Sequence, residues 1–88
     1  MEISAEVSLY PLTESYEEVV LLFLDRLAKH DGIHFETNGM STQIFGDSQL
    51  VFALLEEEFC RIQEEGKALL VIKTGPGTLQ YEGKHAKK

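Results

Sequence analysis

The residues best suited to hold a small molecule come from two short stretches of the chain. They are Glu6, Ser8 and Tyr10 in the first stretch and Ser41, Gln43 and Phe45 in the second, with Glu36 between them. Hydroxyl and amide groups can fix a heteroaromatic ring through directional hydrogen bonds. Tyr10 and Phe45 can stack on such a ring or hold a cation against their π faces, and a carboxylate can bind an amino group. Composition alone favours an ordinary solvated sheet face or a polar oligomer interface, and a small-molecule binding site is the alternative that these residue types allow.

No group of residues predicts catalysis or a metal site. The three histidines are His30, His34 and His85, and they do not have the spacing of a metal motif. Cys60 is predicted to be a small packing residue, and Glu56-Glu57-Glu58 is predicted to be a solvated helix face. We expect a protein that is not an enzyme and has no cofactor; the enzymatic alternative would use Glu6 or Glu36 as a base.

Composition narrows the class of protein. Eighty-eight residues fit one domain, and fifteen acidic against eight basic residues give a net charge of −7. A nucleic-acid binder is excluded because phosphate neutralisation needs clustered Lys and Arg. The acidic balance attracts a cationic small molecule or a positively charged protein instead. The longest apolar run, Val19 to Leu24, is too short to span a bilayer, and a single cysteine forms no disulfide framework. We expect a cytoplasmic protein with no membrane insertion.

The chain begins with a predicted strand and helix. Alternating apolar residues give a half-buried strand that ends at Pro11, because proline has no N–H to donate to a ladder. Ser15 and Glu18 match a capping box at the start of a helix. The predicted apolar stripe of this helix consists of Tyr16, Val19, Val20, Phe23, Leu24 and Leu27. Asp31-Gly32 ends the helix.

Asn38-Gly39 predicts a tight β-hairpin, because this pair readily adopts the two-residue type I′ turn. The turn would pair Thr37 with Met40, and alternation then sorts the side chains onto two faces. The packing face would contain Ile33, Phe35, Thr37, Met40, Thr42 and Ile44. The polar face would contain His34, Glu36, Ser41, Gln43 and Phe45.

A second helix and a last strand complete the predicted order β-α-β-β-α-β. The helix is capped by Asp47 or Ser48, and its core face would contain Val51, Leu54, Leu55, Phe59 and Ile62. The strand runs from Ala68 to Thr74. This order favours an α+β ferredoxin-like fold, with both helices on one face of a four-stranded antiparallel sheet whose first and third strands are central. Residues 1–75 would form this domain, and 76–88 a flexible basic tail.

Such a fold leaves one sheet face open and much apolar surface uncovered. The last strand adds either Leu70 and Ile72 or Leu69, Val71 and Lys73 to the open face. Four helix residues fall outside the core stripes, namely Leu21, Leu22, Leu50 and Phe52. We therefore expect self-association as a homodimer or a dimer of dimers.

Two segments resemble the YkoF-like thiamine/hydroxymethylpyrimidine-binding family. They are Ser8-Leu9-Tyr10-Pro11-Leu12 and Met40-Ser41-Thr42-Gln43-Ile44-Phe45-Gly46-Asp47, within a similarity that runs from Glu2 to about Thr74. The resemblance implies a ferredoxin-like domain that binds thiamine or its hydroxymethylpyrimidine precursor without turnover. It also implies a link to vitamin uptake or salvage, with a transporter component as a partner. Family members occur with two such domains in tandem, so a single-domain chain would need a second copy.

The resemblance carries ligand contacts onto Ser8, Tyr10, Met40, Ser41, Thr42 and Gln43, to which the residue chemistry adds Glu6. By register, Ser41 and Gln43 face the open side, whereas Met40 and Thr42 point beneath the helices. Either the pocket therefore lies at a sheet end, or Thr42 serves only packing and hydrogen bonding within the fold. The leading hypothesis is a non-catalytic binding protein for thiamine or hydroxymethylpyrimidine. The alternative is a regulatory or structural interaction module that self-associates through its open sheet face.

Overall fold

The fold is a four-stranded antiparallel sheet with two helices, seen in a computed structural model that describes residues 1–80. The elements are β1 (Glu2–Pro11), α1 (Tyr16–Leu27), β2 (His34–Thr37), β3 (Thr42–Asp47), α2 (Ser48–Glu65) and β4 (Ala68–Pro76). The strand order is β2-β3-β1-β4, so β1 and β3 are central. This is the predicted ferredoxin-like α+β fold. Of the predicted tail, residues 76–80 are described and 81–88 lie outside the described residues.

The core lies between the helices and one face of the sheet. Alternation along β1 directs Ile3, Ala5 and Val7 to this face, where they pack against both helices. The other buried apolar members of the cluster are Val19, Phe23, Leu27, Ile44, Val51, Leu54, Leu55, Ile62 and Ala68. Within the described part of the chain, no helix is long and apolar enough to cross a membrane.

The two helices begin differently. The predicted capping box is wrong: Ser15 is the N-cap of α1, but its side chain makes no cap hydrogen bond, and only its carbonyl accepts from the amide of Val19 at 3.2 Å. Asp47 caps α2, accepting a hydrogen bond from the amide of Gln49 at 3.1 Å. The extended backbone of Asp47 aims its carboxylate at the free N–H groups, whereas the backbone of Ser15 is not extended.

The core face of α2 also differs from the prediction. Phe59 is exposed, and Glu58 takes its place in the stripe with only 1% of its surface accessible. The interpretation of Glu58 as part of a solvated face is therefore wrong. Cys60 is exposed as well, so it is not a packing residue. The buried carboxylate is tolerated because α1 supplies a cation next to it.

That cation is Arg26, which joins the two helices through a charged cluster. Its Nε donates to Glu58 at 2.7 Å, and its two terminal nitrogens donate to Glu65 at 2.9 and 3.0 Å. The hydrogen bonds that Arg26 donates to Glu65, aided by the one that it donates to Glu58, raise the pKa of Arg26 above its ordinary value. A guanidinium can make these three bonds at once, which satisfies the buried carboxylate.

The β2–β3 hairpin is present, but its register differs from the prediction by two residues. Thr37 pairs with Thr42, not with Met40, and the turn spans residues 38–41. The side chain of Asn38 accepts from the amides of Met40 at 2.8 Å and Ser41 at 3.1 Å, and Gly39 does not adopt a positive φ. This is an Asx-type turn in place of a type I′ turn. Because the shift is even, each residue of β2 and β3 keeps its predicted face. The prediction for Met40 is wrong, because the longer turn takes it out of the strand and leaves it exposed and not on the packing face.

The open face of the sheet carries Leu69, Val71 and Lys73 from β4, which decides between the two alternatives. They pair with Tyr10, Ser8 and Glu6 of β1, respectively. Several large apolar side chains are exposed on this face and on the helices: Tyr10, Leu69 and Val71 on the sheet, and Leu21, Leu22 and Phe52 on the helices.

Candidate functional site

A cavity of about 360 Å³ lies on the open face of the sheet, over β1 and its two neighbours. Its lining residues are Ser4, Ala5, Glu6, Gln43, Phe45, Lys73, Thr74, Gly75 and Leu79. The cavity is therefore built by three adjacent strands and by a residue that follows the last strand. Its volume lies within the range that is typical of small-molecule sites.

Glu6 lies at the centre of the polar part of this cavity, because β1 is flanked by β3 and β4. It pairs in register with Gln43 on one side and with Lys73 on the other. The Lys73 ammonium lies 3.4 Å from one carboxylate oxygen, and the Ser41 hydroxyl donates to the other at 3.3 Å. The Lys73 side chain is 80% exposed, so this ion pair lies at the mouth of the cavity and exchanges readily with solvent.

Phe45 provides the aromatic wall. It lies opposite His34 of β2 and Ser4 of β1, and its ring stacks on the imidazole with centroids 5.8 Å apart and an angle of 25° between the planes. Phe45 lies on the open face, yet it is buried, in part because His34 of the edge strand β2 covers one side of its ring. The ring is thus held in place beside the cavity and offers apolar carbon for contact with a ligand.

The chain returns over the open face after β4. Residues 77–80, here called the crossing segment, lead from the β4 edge over Ser4 to the far strand, where Gln80 hydrogen-bonds to Glu36. The side chain of Leu79 reaches the cavity beside Gly75. The sheet thus forms the floor of the cavity, and the crossing segment forms one wall.

The structure brings together part of the predicted site. Glu6 and Gln43 line the cavity, and Ser41 reaches it through its hydrogen bond to Glu6. Ser8 and Tyr10 lie on the same face but further along β1, outside the lining. The ligand role of all these residues stays a prediction.

Met40 and Thr42 lie apart from this cavity. Met40 is 87% exposed in the hairpin turn, and Thr42 is buried on the helix side, with its hydroxyl 2.9 Å from that of Thr37. Together with Ser41 they line a separate small cavity of about 130 Å³ next to Phe23 of α1. Successive residues of a strand point to opposite faces, so the motif is divided between the two sides of the sheet.

Among the lining residues that were not predicted as part of the site, three have side chains that pair with Glu6 or build the wall of the crossing segment: Ser4, Lys73 and Leu79. Ser4 alternates in phase with Glu6 along β1, so the strand pattern contained its signal. Lys73 was present in one of the two alternatives for β4. No local pattern points to Leu79, because its position depends on a chain reversal after the last strand. In residues 1–80, no three His, Cys, Asp or Glu side chains come together as a metal site.

The fold and the cavity define a ferredoxin-like domain with a ligand-sized site on its open face. The chain belongs to the YKOF-related family, whose model matches residues 2–74. The matched segment contains Ser4, Glu6, Gln43, Phe45 and Lys73 but ends before the crossing segment. No curated protein shows a significant match to the sequence.

Solved structures share the fold at low identity. Protein SP2199 from Streptococcus pneumoniae has a TM-score of 0.81 at 16% identity, covering 90% of each chain. A Thermotoga maritima protein described as a "putative thiamine biosynthesis/salvage protein" has a TM-score of 0.77 at 12% identity, covering 88% of this chain and 85% of its own. Hypothetical protein MJ1052 from Methanocaldococcus jannascii has a TM-score of 0.75 at 22% identity, covering 94% and 88%.

Proposed function

We propose that this protein binds thiamine or its hydroxymethylpyrimidine precursor, without turning it over, in the open-face cavity. The observation that carries the proposal is the cavity itself, where a carboxylate, an amide and an aromatic ring converge. Family membership supports it, as does the likeness in fold to a structure described as a "putative thiamine biosynthesis/salvage protein". The role would be in uptake or salvage of the vitamin in the cytoplasm, with a transporter component as a further partner.

The three groups match the chemistry of an aminopyrimidine. The Gln43 amide both donates and accepts, so it can read a ring nitrogen and an adjacent amino group together. The Glu6 carboxylate accepts from an amino group, and Phe45 contacts the ring through its carbon atoms. Thiamine adds a positively charged thiazolium, which the net charge of −7 attracts.

A binding role, not a catalytic one, agrees with the surroundings of Glu6. Its two oxygens already accept from Lys73 and Ser41, so the carboxylate is positioned as a hydrogen-bond acceptor. We propose that an incoming amino group replaces the exposed Lys73 ammonium at this carboxylate. The ligand would then occupy a place that the protein fills with a mobile cation.

Isothermal titration calorimetry with thiamine and with hydroxymethylpyrimidine tests the proposal. We expect heat of binding for at least one compound, and a loss of about tenfold in affinity for Gln43→Ala, as one good hydrogen bond provides. Gln49→Ala is the matched control, because Gln49 is exposed on α2 and does not line the cavity, and it should bind like the wild type. No heat with either compound at millimolar concentration would overturn the proposal.

A second candidate function is self-association as an interaction module. Tyr10, Leu69 and Val71 are exposed together on the open face, and such contiguous apolar surface marks interaction sites. Native mass spectrometry of the wild type and of Val71→Glu would test it. A dimer that the variant abolishes supports the module, whereas a strict monomer at all concentrations contradicts it. A dimer that binds thiamine would show that the two functions coexist.

A further inference from the structure

We propose that the crossing segment is part of the ligand site: Leu79 contacts the ligand, and Ser4 is the positioning residue that holds Leu79 in place. This inference rests on the proposed function, because it assigns residues to the same cavity. It goes beyond that function by naming a wall that lies outside the strands and outside the segment matched by the family model.

The backbone turns sharply where β4 ends. Pro76 is the last residue of the strand, and Gly77 has a φ of +71°, a conformation that favours glycine. The Gly77 amide donates to the carbonyl of Glu2 at 2.8 Å, which directs the chain back over β1. The crossing segment therefore starts from a fixed point on the sheet.

The Ser4 hydroxyl holds the backbone of the crossing segment at Gly77 and at Leu79. It donates to the carbonyl of Gly77 and accepts from the amide of Leu79, both at 2.7 Å. The side chain lies on the open face of the central strand and is buried. One hydroxyl thus satisfies a backbone acceptor and a backbone donor, which an alanine would leave without a protein partner.

Leu79 is held firmly by its backbone, yet its side chain is only partly covered. It remains 63% exposed, and a Cβ built on Gly75 would lie 2.9 Å from one of its methyl carbons. The glycine therefore leaves the space that Leu79 occupies. Phe45 lies on the opposite side of Ser4, so the cavity has apolar carbon on both sides. A ring placed between Phe45 and Leu79 would cover the exposed side of Leu79, and burial of apolar surface favours binding.

The far end of the crossing segment is also attached. The Gln80 amide donates to the carboxylate of Glu36 on β2, at the opposite edge from β4. The segment thus has contacts at both ends, and Ser4 lies beneath its middle. Loss of the Ser4 hydroxyl should release Leu79 while the sheet beneath it remains in place.

The experiment measures amide exchange in the free protein and ligand affinity by calorimetry, for Ser4→Ala, Ser4→Thr and Leu79→Ala. In Ser4→Ala we expect Leu79 N–H exchange to rise about tenfold and affinity to fall about tenfold, as for one lost hydrogen bond. Ser4→Thr keeps a hydroxyl, so it should retain most of the protection of the Leu79 amide and most of the ligand affinity. Leu79→Ala should weaken binding about fivefold or more, and its exposed position keeps the fold intact.

Ser15→Ala is the matched control, because its hydroxyl makes no cap hydrogen bond and it lies away from the cavity. It should leave exchange and affinity unchanged. If the wild type binds and Ser4→Ala and Leu79→Ala bind equally well, this inference is wrong and the proposed function stands. If the wild type binds neither compound, the proposed function fails and this inference with it. The two failures are therefore distinguished by the wild type alone.

Discussion

Two carboxylates with cationic partners, on opposite sides of the sheet, have very different surroundings. Glu58 lies on the helix side, almost wholly buried, and binds Arg26, which also holds Glu65. Glu6 lies on the open side with 38% of its side chain accessible, and its partner Lys73 is largely in solvent. The partners in the first cluster are held in place within the fold, whereas the carboxylate of the second can exchange its partner.

The difference shows how burial divides charged groups between stability and binding. A buried carboxylate must be satisfied by fixed partners, since an unpaired charge in the interior is costly. A half-exposed carboxylate gains little from its partner because water competes for both. The open-face cluster is thus the one that a ligand can use, although both consist of the same kinds of group.

The largest expected effect is on the buried cluster. Glu58→Gln should lower the free energy of unfolding by about 2 to 3 kcal/mol, because it leaves Arg26 with one carboxylate in a mostly buried site. Urea denaturation measures this change. Glu57→Gln is the matched control: its pair with Arg61 is exposed on the same helix and should be worth less than about 0.5 kcal/mol. Equal losses of unfolding free energy in the two variants would contradict the difference inferred between buried and exposed ion pairs.

Glu6→Gln should show the reverse pattern. We expect its unfolding free energy to stay within about 0.5 kcal/mol of the wild type, because the Lys73 pair is exposed. Affinity for thiamine should fall about tenfold in calorimetry, since a charged acceptor becomes a neutral one. If stability drops and affinity does not, Glu6 is a structural residue and the comparison fails.

The smallest expected effect is on an ion pair at the protein surface, between the Met1 ammonium and Asp47. The Met1 ammonium lies 2.8 Å from Asp47 and donates a hydrogen bond to it. This contact, aided by the Gln49 amide, lowers the pKa of Asp47 from 3.8. The same contact with Asp47 raises the pKa of the ammonium from 8.0. The contribution of the Asp47 carboxylate to the free energy of unfolding is complete above pH 3.8, and it is lost as the pH falls through the lowered pKa of Asp47. The contribution of the Met1 ammonium to the free energy of unfolding is complete below pH 8.0, and it is lost as the pH rises through the raised pKa of the ammonium.

Thermal melting of the wild type and of Asp47→Asn across pH tests this pair. Asparagine keeps an N-cap acceptor but removes the ion pair. The small advantage of the wild type should therefore be present between these two ordinary pKa values and shrink outside them. A difference that is independent of pH would show that the pair contributes nothing.

The sequence predicted the order of the elements and the face of each residue in β1, β2 and β3, because these follow from local periodicity. It left two alternatives open for the faces of β4, which is apolar on both sides. It did not predict the hairpin register, since Asn38 bonds to two amides of its own turn in place of forming the type I′ turn. It also missed the burial of Glu58, which depends on Arg26 from another helix. Tertiary contacts of this kind leave no periodic signal.

The candidate site was predicted in part for the same reason. Glu6 and Gln43 follow from strand alternation and share the cavity. Met40 and Thr42 came from a contiguous motif, which a strand necessarily divides between its faces. Leu79 depends on the reversal at Gly77 and on the Ser4 hydroxyl, and both act across the sheet rather than along the sequence.

The hairpin turn at residues 38–41 has a consequence for how the length of this loop can change. A slip of two residues in the pairing of β2 with β3 would leave every β2 side chain on its present face. A slip of one residue would place His34 and Glu36 against the helices and expose Phe35 on the open side. Phe45 would lose its stacking partner, and the crossing segment would lose its attachment at Gln80. The cavity therefore depends on the pairing of Thr37 with Thr42, and homologous chains that keep this pairing can vary the length of the loop.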